Sequence, residues 1–131
     1  MDIHAKALFP GHEVEHVLER GWDGLSNGKL LAAAAAGGFE ALVTVDKNIR
    51  YQQNLDTIPI SVLELDVLKN RMDELAKLSP FITRATELAA QFRFVSVNGE
   101  GTLECLSERA APRDREEPKG SRKSQDRDIG R

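Results

Sequence analysis

Three short apolar runs, ALVTV at 41–45, IPISVLEL at 58–65 and FRFVSV at 92–97, alternate along the chain with stretches of helical spacing. Runs of this length, rich in Val, Ile and Phe and bounded by Gly, Pro or Asn, have the pattern of strands, and the first two are apolar at nearly consecutive positions, as strands covered on both faces are. Strands that alternate with helices run parallel in one sheet, with the helices packed on its faces. The chain is therefore expected to form an α/β fold with a largely parallel sheet.

The remaining punctuation fits that frame. SNGKLLAAAAA at 26–36 reads as a helix, capped by Ser26 or Asn27 and stopped by Gly37 and Gly38. The alanines at 32–36 suit close helix packing. Pro59 sits near the start of its strand, where a missing N–H is tolerated. A longer helical pattern covers 67–91, broken at Ser79 and Pro80, where a second helix starts. Asn98 and Gly99 look like a hairpin turn leading into a last strand at 102–106. From Ser107 onward only Ala110, Ala111 and Ile129 are apolar, so 107–131 is expected to be a disordered charged tail and 1–106 the folded domain.

Composition narrows the function classes. The single cysteine, Cys105, excludes an internal disulfide and points to a reducing compartment. The chain starts MDIHAKALFPG, without the apolar core of a signal peptide, and no run is long enough to span a membrane, so a cytoplasmic protein is expected. The net charge is −3; residues 1–106 hold 10 Lys and Arg against 15 Asp and Glu, and residues 107–131 hold 8 against 6. Neither part has the strong basic surface of a tight nucleic-acid binder.

Residues 12–16, HEVEH, spell the H-E-x-x-H signature of a zinc peptidase, in which two histidines on one helix face share a metal and the glutamate is the base. The signature works only on a helix. On a strand His12 and His16 stand roughly 13 Å apart, at about 3.3 Å per residue, too far to share one ion. Pro10 and Gly11 punctuate a turn before them, and HEVEHV then alternates, which predicts a short exposed edge strand at 12–17 with two solvated histidines. Only His4 remains as another histidine, so a zinc site would need a carboxylate such as Glu40. Zinc peptidase chemistry at His12, Glu13 and His16 is thus the remote alternative.

The order PGHEV, RGWDGLSNGKLL, VTVDKN, YQQNL and IPI, across roughly 8–97, resembles a small PIN-like domain family of unknown function, with the pieces GW.GL.NG and T.DKN..YQQNL specific to it. The resemblance implies a three-layer α/β/α fold, kinship with bacterial toxin-type ribonucleases that use magnesium or manganese to hydrolyse RNA, and an antitoxin-like protein as partner. Such chemistry needs several carboxylates converging at the carboxyl ends of central strands, because these hard cations bind oxygen and stabilise charge on the attacked phosphate.

On this chain the resemblance implies Asp46, after the strand at 41–45, as metal ligand and catalytic acid; turn former or helix cap is the competing role. It implies Lys47, Asn48, Gln52, Gln53 and Asn54 as contacts to RNA, with Arg50 steering and Tyr51 nearby, against the alternative of a solvated loop helix. Trp22 reads as a packing residue. Relatives commonly carry glutamate where this chain has Lys29, a cation that would repel a metal. They also open with a central strand ending in acids, to which Asp2, on a helical position here, does not correspond. Without that strand its neighbours would expose backbone N–H and C=O groups, which favours association, including a homo-oligomer. The expected function is that of a PIN-like relative with weak or absent nuclease activity, or alternatively a non-catalytic protein-interaction module.

Overall fold

The structure, a computed structural model, describes Met1 and residues 3–109. A 3-10 helix at Ile3–Leu8 leads through a turn to α1 (Val17–Arg20) and α2 (Asn27–Ala36). Then come β1 (Ala41–Thr44), α3 (Ile49–Gln52), β2 (Ser61–Asp66), α4 (Met72–Ala76), a 3-10 turn at Ser79–Phe81, α5 (Ile82–Ala89), β3 (Phe92–Asn98) and β4 (Leu103–Glu108). The sheet order is β1-β2-β3-β4, with β1, β2 and β3 parallel and β4 antiparallel to β3. The fold is α/β with a mixed, mostly parallel sheet.

Helices cover both faces, because alternate residues of each strand point opposite ways. Leu63, Leu65, Val95 and Val97 pack with Ala5 and Leu8 of the first 3-10 helix, with Phe9 just after it, and with Leu75, Ile82, Ala85 and Leu88 of α4 and α5. On the other face Val62 and Phe94 pack with Leu31 and Ala34 of α2 and Ile49 of α3, and Trp22 and Phe39 close that cluster at its margin. Trp22 meets Phe39 edge to face at 6.1 Å, the packing role expected for it. Ser26 is the N-cap of α2, though its side chain makes no capping bond, and Gly37 and Gly38 end the helix.

Several expectations change. HEVEHV is not an edge strand: the turn at Gly11, where φ is 84°, releases the chain into an unpaired segment, and His16 caps α1 instead. The pattern at 67–91 becomes helical only from Met72, because Leu68 faces solvent at 91% exposure and residues 68–71 are all exposed, leaving no buried face to anchor a helix. The second strand begins at Ser61; Ile58 and Ile60 are buried ahead of it, around Pro59, which cannot donate to a ladder. The last strand runs two residues past the expected Leu106, and Arg109 follows it, its N–H donating to the Gln91 carbonyl at 2.7 Å and its guanidinium to Ser61 Oγ. The tail beyond, 110–131, and Asp2 lie outside the described residues.

The hairpin between β3 and β4 is where expected, but its loop is longer than two residues: Asn98 Oδ1 accepts from the N–H groups of Glu100 and Thr102, and Gly101 takes φ 87°. The ladder from β1 to β4 is unbroken, with β1 and β4 as its two edge strands, so a strand absent from this sheet lies beyond an edge and not within it. Among the described residues no helix is long and apolar enough to cross a membrane.

Candidate functional site

Register places one polar row across the face that carries α2 and α3. Thr44 pairs with Glu64, Glu64 with Ser96, and Ser96 with Glu104. Two residues back along the strands, Leu42, Val62, Phe94 and Leu106 form the apolar row beneath. The polar row thus lies at the carboxyl ends of β1 and β2, where parallel sheets present functional groups.

Glu64 is 2% exposed, and its burial demands a partner. Arg50, carried over the sheet by α3, supplies it: its guanidinium donates to Glu64 Oε1 at 3.2 Å and to Glu104 Oε1 at 2.9 Å while lying 4.8 Å from the centre of the Phe94 ring. Burial works against the Arg50 charge, but Glu104 and Glu64 outweigh it and hold the proton more tightly than usual. Ser96 Oγ donates to the same Glu64 oxygen at 2.7 Å, and Glu64 Oε2 is buried with no hydrogen-bond partner among the described residues.

Asp46 stands beside this row. Its backbone N–H donates to Thr44 Oγ at 3.0 Å, fixing the chain just past β1. Its carboxylate accepts from the Asn27 side-chain amide at 3.0 Å and from the Asn48 backbone N–H at 2.9 Å. Those two donors, Asn27 first, favour the ionised form and lower its pKa below the usual aspartate value. The same Asn27 amide donates to Gln52 Oε1 at 3.0 Å, tying α2 to α3 across Asp46.

Of the residues singled out in the sequence, Asp46, Asn48 and Gln52 therefore come together, and Arg50 joins the neighbouring row. Lys47 turns to Asp66 at the end of β2, an ion pair of 2.9 Å that is half exposed. Gln53 lies against Gly28, whose position a Cβ could occupy 3.8 Å from its amide. Asn54 is a turn former: its side chain accepts from the Asp56 N–H and its carbonyl from Thr57. Tyr51 is 80% exposed. Lys29 is exposed and stands roughly 200° round α2 from Asn27, at about 100° per residue, so it does not share the face that meets Asp46. Sequence reasoning missed Asn27, Glu64, Ser96 and Glu104. A glutamate within SVLEL was the available signal, since a charge inside a buried strand needs a counter-ion.

As a metal centre these residues fit poorly. Among the described residues no three His, Cys, Asp or Glu side chains stand together as a possible ligand set. Asp46 has both oxygens occupied, Glu64 is bound by an arginine, and Asp66 by a lysine. A cation already sits where two of the acids would need one. The zinc signature also loses its premise: His12 lies in the turn and is exposed, while His16 Nδ1 accepts from the Leu18 N–H at 3.1 Å and its Nε2 meets the Met1 carbonyl. Glu19 completes a capping box by accepting from the His16 N–H at 2.7 Å, so His16 is a helix cap with both ring nitrogens engaged. Compared with protein-family models, curated proteins and solved structures, the chain matches none.

Proposed function

We propose that this chain is a PIN-like domain, related to toxin-type metal-dependent ribonucleases, whose acidic site is satisfied by its own side chains so that RNA hydrolysis is weak or absent. The observation that carries this reading is the placement of Arg50 between Glu64 and Glu104. A guanidinium there neutralises the carboxylates that a divalent ion would otherwise bridge, and an ion would have to displace it. Asp46, the one acid that the resemblance assigns plainly, is held by Asn27 and the Asn48 N–H in the manner of a turn carboxylate. The test is a titration of the purified chain with manganese, read by calorimetry, alongside cleavage of a labelled single-stranded RNA with and without the metal. The expected result is no saturable binding and no metal-dependent cleavage. Cleavage that needs manganese and disappears in Asp46→Ala would overturn the reading.

A second reading, a non-catalytic module for an antitoxin-like protein or a second copy of the chain, is favoured by the unpaired edge of β1.

A further inference from the structure

The described arginines divide by what they meet. Arg20, Arg50, Arg71 and Arg84 each pair with a carboxylate. Arg93 and Arg109 meet only neutral oxygens: Arg93 Nη1 donates to the Ile58 carbonyl at 3.4 Å, and Arg109 Nε and Nη2 donate to Ser61 Oγ at 3.0 and 2.6 Å. Ser61 commits its own hydrogen to the Ala89 carbonyl at 2.7 Å or the Phe92 carbonyl at 3.0 Å, so toward the guanidinium it is an acceptor without charge. Among the described residues neither arginine has a counter-ion.

The two unpaired guanidiniums are neighbours. Phe92 pairs with Glu108, so Arg93 and Arg109 flank one register pair from opposite sides, a diagonal that spans about 7–8 Å between backbones on adjacent antiparallel strands. Their oxygen partners, Ile58 and Ser61, bracket the entry to β2. Both side chains are half-buried, and burial and then the charge of Arg93 push the Arg109 guanidinium below its usual range. No acid nearby answers them: Asp56 accepts from Ser107 Oγ at 2.6 Å, and Glu40 and Glu108 are exposed and pair with neither arginine. Residues 110–131 bring 7 Lys and Arg against 5 Asp and Glu, so the chain beyond Arg109 adds positive charge, not a neutralising run of acids.

We propose that Arg93 and Arg109 bind a phosphate dianion, free or as the terminal group of a phosphomonoester, at the amino ends of β2 and β3. The charge fits: two uncompensated guanidiniums match a group that carries about −1.5 to −2 at neutral pH. The donors fit as well. With Nε and one Nη2 hydrogen given to Ser61, Arg109 keeps the fork between Nη1 and Nη2; with Nη1 on Ile58, Arg93 keeps the fork between Nε and Nη2. Each fork takes two oxygens, and a tetrahedral phosphate presents enough of them to serve both, whereas a carboxylate is used up by one. The place fits too, because Ser61 lies three residues from Glu64 along β2, about 10 Å at roughly 3.3 Å per residue, so the anion would stand clear of the acids of the polar row.

The site uses no residue of the polar row, so its test stands apart from the nuclease and module readings. The full chain is titrated at constant ionic strength with inorganic phosphate, phenyl phosphate and acetate, followed by calorimetry and by the arginine Nε–H resonances. Expected is saturable binding of the phosphates that shifts the resonances of Arg93 and Arg109, with acetate at least about tenfold weaker. Phenyl phosphate bound more tightly than phosphate assigns the site to a phosphomonoester, and the reverse assigns it to the free ion. Arg93→Gln removes charge and fork and should weaken binding at least about tenfold, while Arg93→Lys keeps the charge and should recover only part of the loss. Arg93 makes a single hydrogen bond, at 3.4 Å, so both variants should melt near the parent, and Arg109→Lys repeats the comparison from the other side of the site. No saturable binding of either phosphate, acetate bound as tightly, shifts confined to other arginines, or undiminished binding in Arg93→Gln would each overturn the assignment.

Discussion

Replacing Arg50 by Met keeps much of the side chain's length and its contact with Phe94 but strips Glu64 of its counter-charge. Glu64 has a side chain 3% exposed, and Arg50 one 17% exposed, so neither can be rescued by solvent as a surface pair would be. Removing one partner of a buried ion pair costs about 3–5 kcal/mol, because the other charge stays buried and uncompensated. For a domain of roughly a hundred residues the unfolding entropy is about 0.2 kcal/mol/K, so the melting temperature should fall by about 15–25 °C. Circular dichroism melts and urea titrations give the same quantity independently if unfolding is two-state. Glu64→Gln retains an acceptor for Ser96 Oγ and removes the charge, so Arg50→Met with Glu64→Gln should lose at least about 2 kcal/mol less than the two single changes added. A fall of under about 3 °C for Arg50→Met, or simple additivity in the double variant, would mean that the pair behaves as an exposed one and that Glu64 has another source of compensation.

Asn27→Ala removes the first donor to Asp46, so the carboxyl resonance of Asp46 should titrate closer to the usual aspartate value of about 3.9 in an NMR pH series. Because the folded pKa of Asp46 is lowered, its contribution to stability is whole well above that ordinary value and is lost as pH falls through the lowered one; Asn27→Ala should therefore flatten the acid limb of stability below about pH 5, and an unchanged limb would contradict the assignment. Gly101→Ala forces a left-handed backbone on a residue with a Cβ that would lie 2.8 Å from Phe81 Cε1, and should cost about 1–3 kcal/mol in denaturant unfolding. Ser61→Ala takes away the oxygen that receives the Arg109 guanidinium at 2.6 Å and donates toward the Ala89 carbonyl at 2.7 Å; a loss of about 1–3 kcal/mol is expected from the same measurement.

The strands were legible because burial on both faces leaves a mark that composition alone carries: Val62, Leu63 and Leu65, and likewise Phe94, Val95 and Val97, are all essentially inaccessible. The break at Ser79 and Pro80 was legible because proline at a first turn has one structural use. The segment 12–17 misled for a physical reason. Alternation of polar and apolar residues fits a strand face, but it fits equally a capping segment in which Val14 packs into the core and His16 turns to the backbone of α1. Histidine is an uncommon cap, so only Glu19, three residues on, hinted at the box. Asp46 was legible as the residue that ends β1; its partner Asn27 was not, because nineteen residues and a helix crossing separate them, and no periodicity encodes which helix face meets which strand end. Glu64 announced its need for a cation, while the identity of Arg50 depended on where α3 comes to rest above Phe94.

That placement bears on how a metal site could be regained. Lys29 stands where relatives of the resembled family commonly carry glutamate, which makes Lys29→Glu the obvious repair. Its position on α2 argues against success: Asn27, Leu31 and Ala34 share the helix face that meets Asp46 and the sheet, and Lys29 projects elsewhere. A carboxylate there would also leave Arg50 bonded to Glu64 and Glu104, and Lys47 to Asp66, so the local charge balance would be unchanged where an ion must sit. Lys29→Glu alone should therefore gain neither saturable manganese binding by calorimetry nor RNA cleavage, whereas Arg50→Met in the same background should make the acids of the polar row available and raise manganese affinity, at the stability cost worked out above. Manganese binding acquired by Lys29→Glu alone would refute this, since it would require α2 to present residue 29 to Asp46 and Arg50 to be irrelevant to the charge at the strand ends.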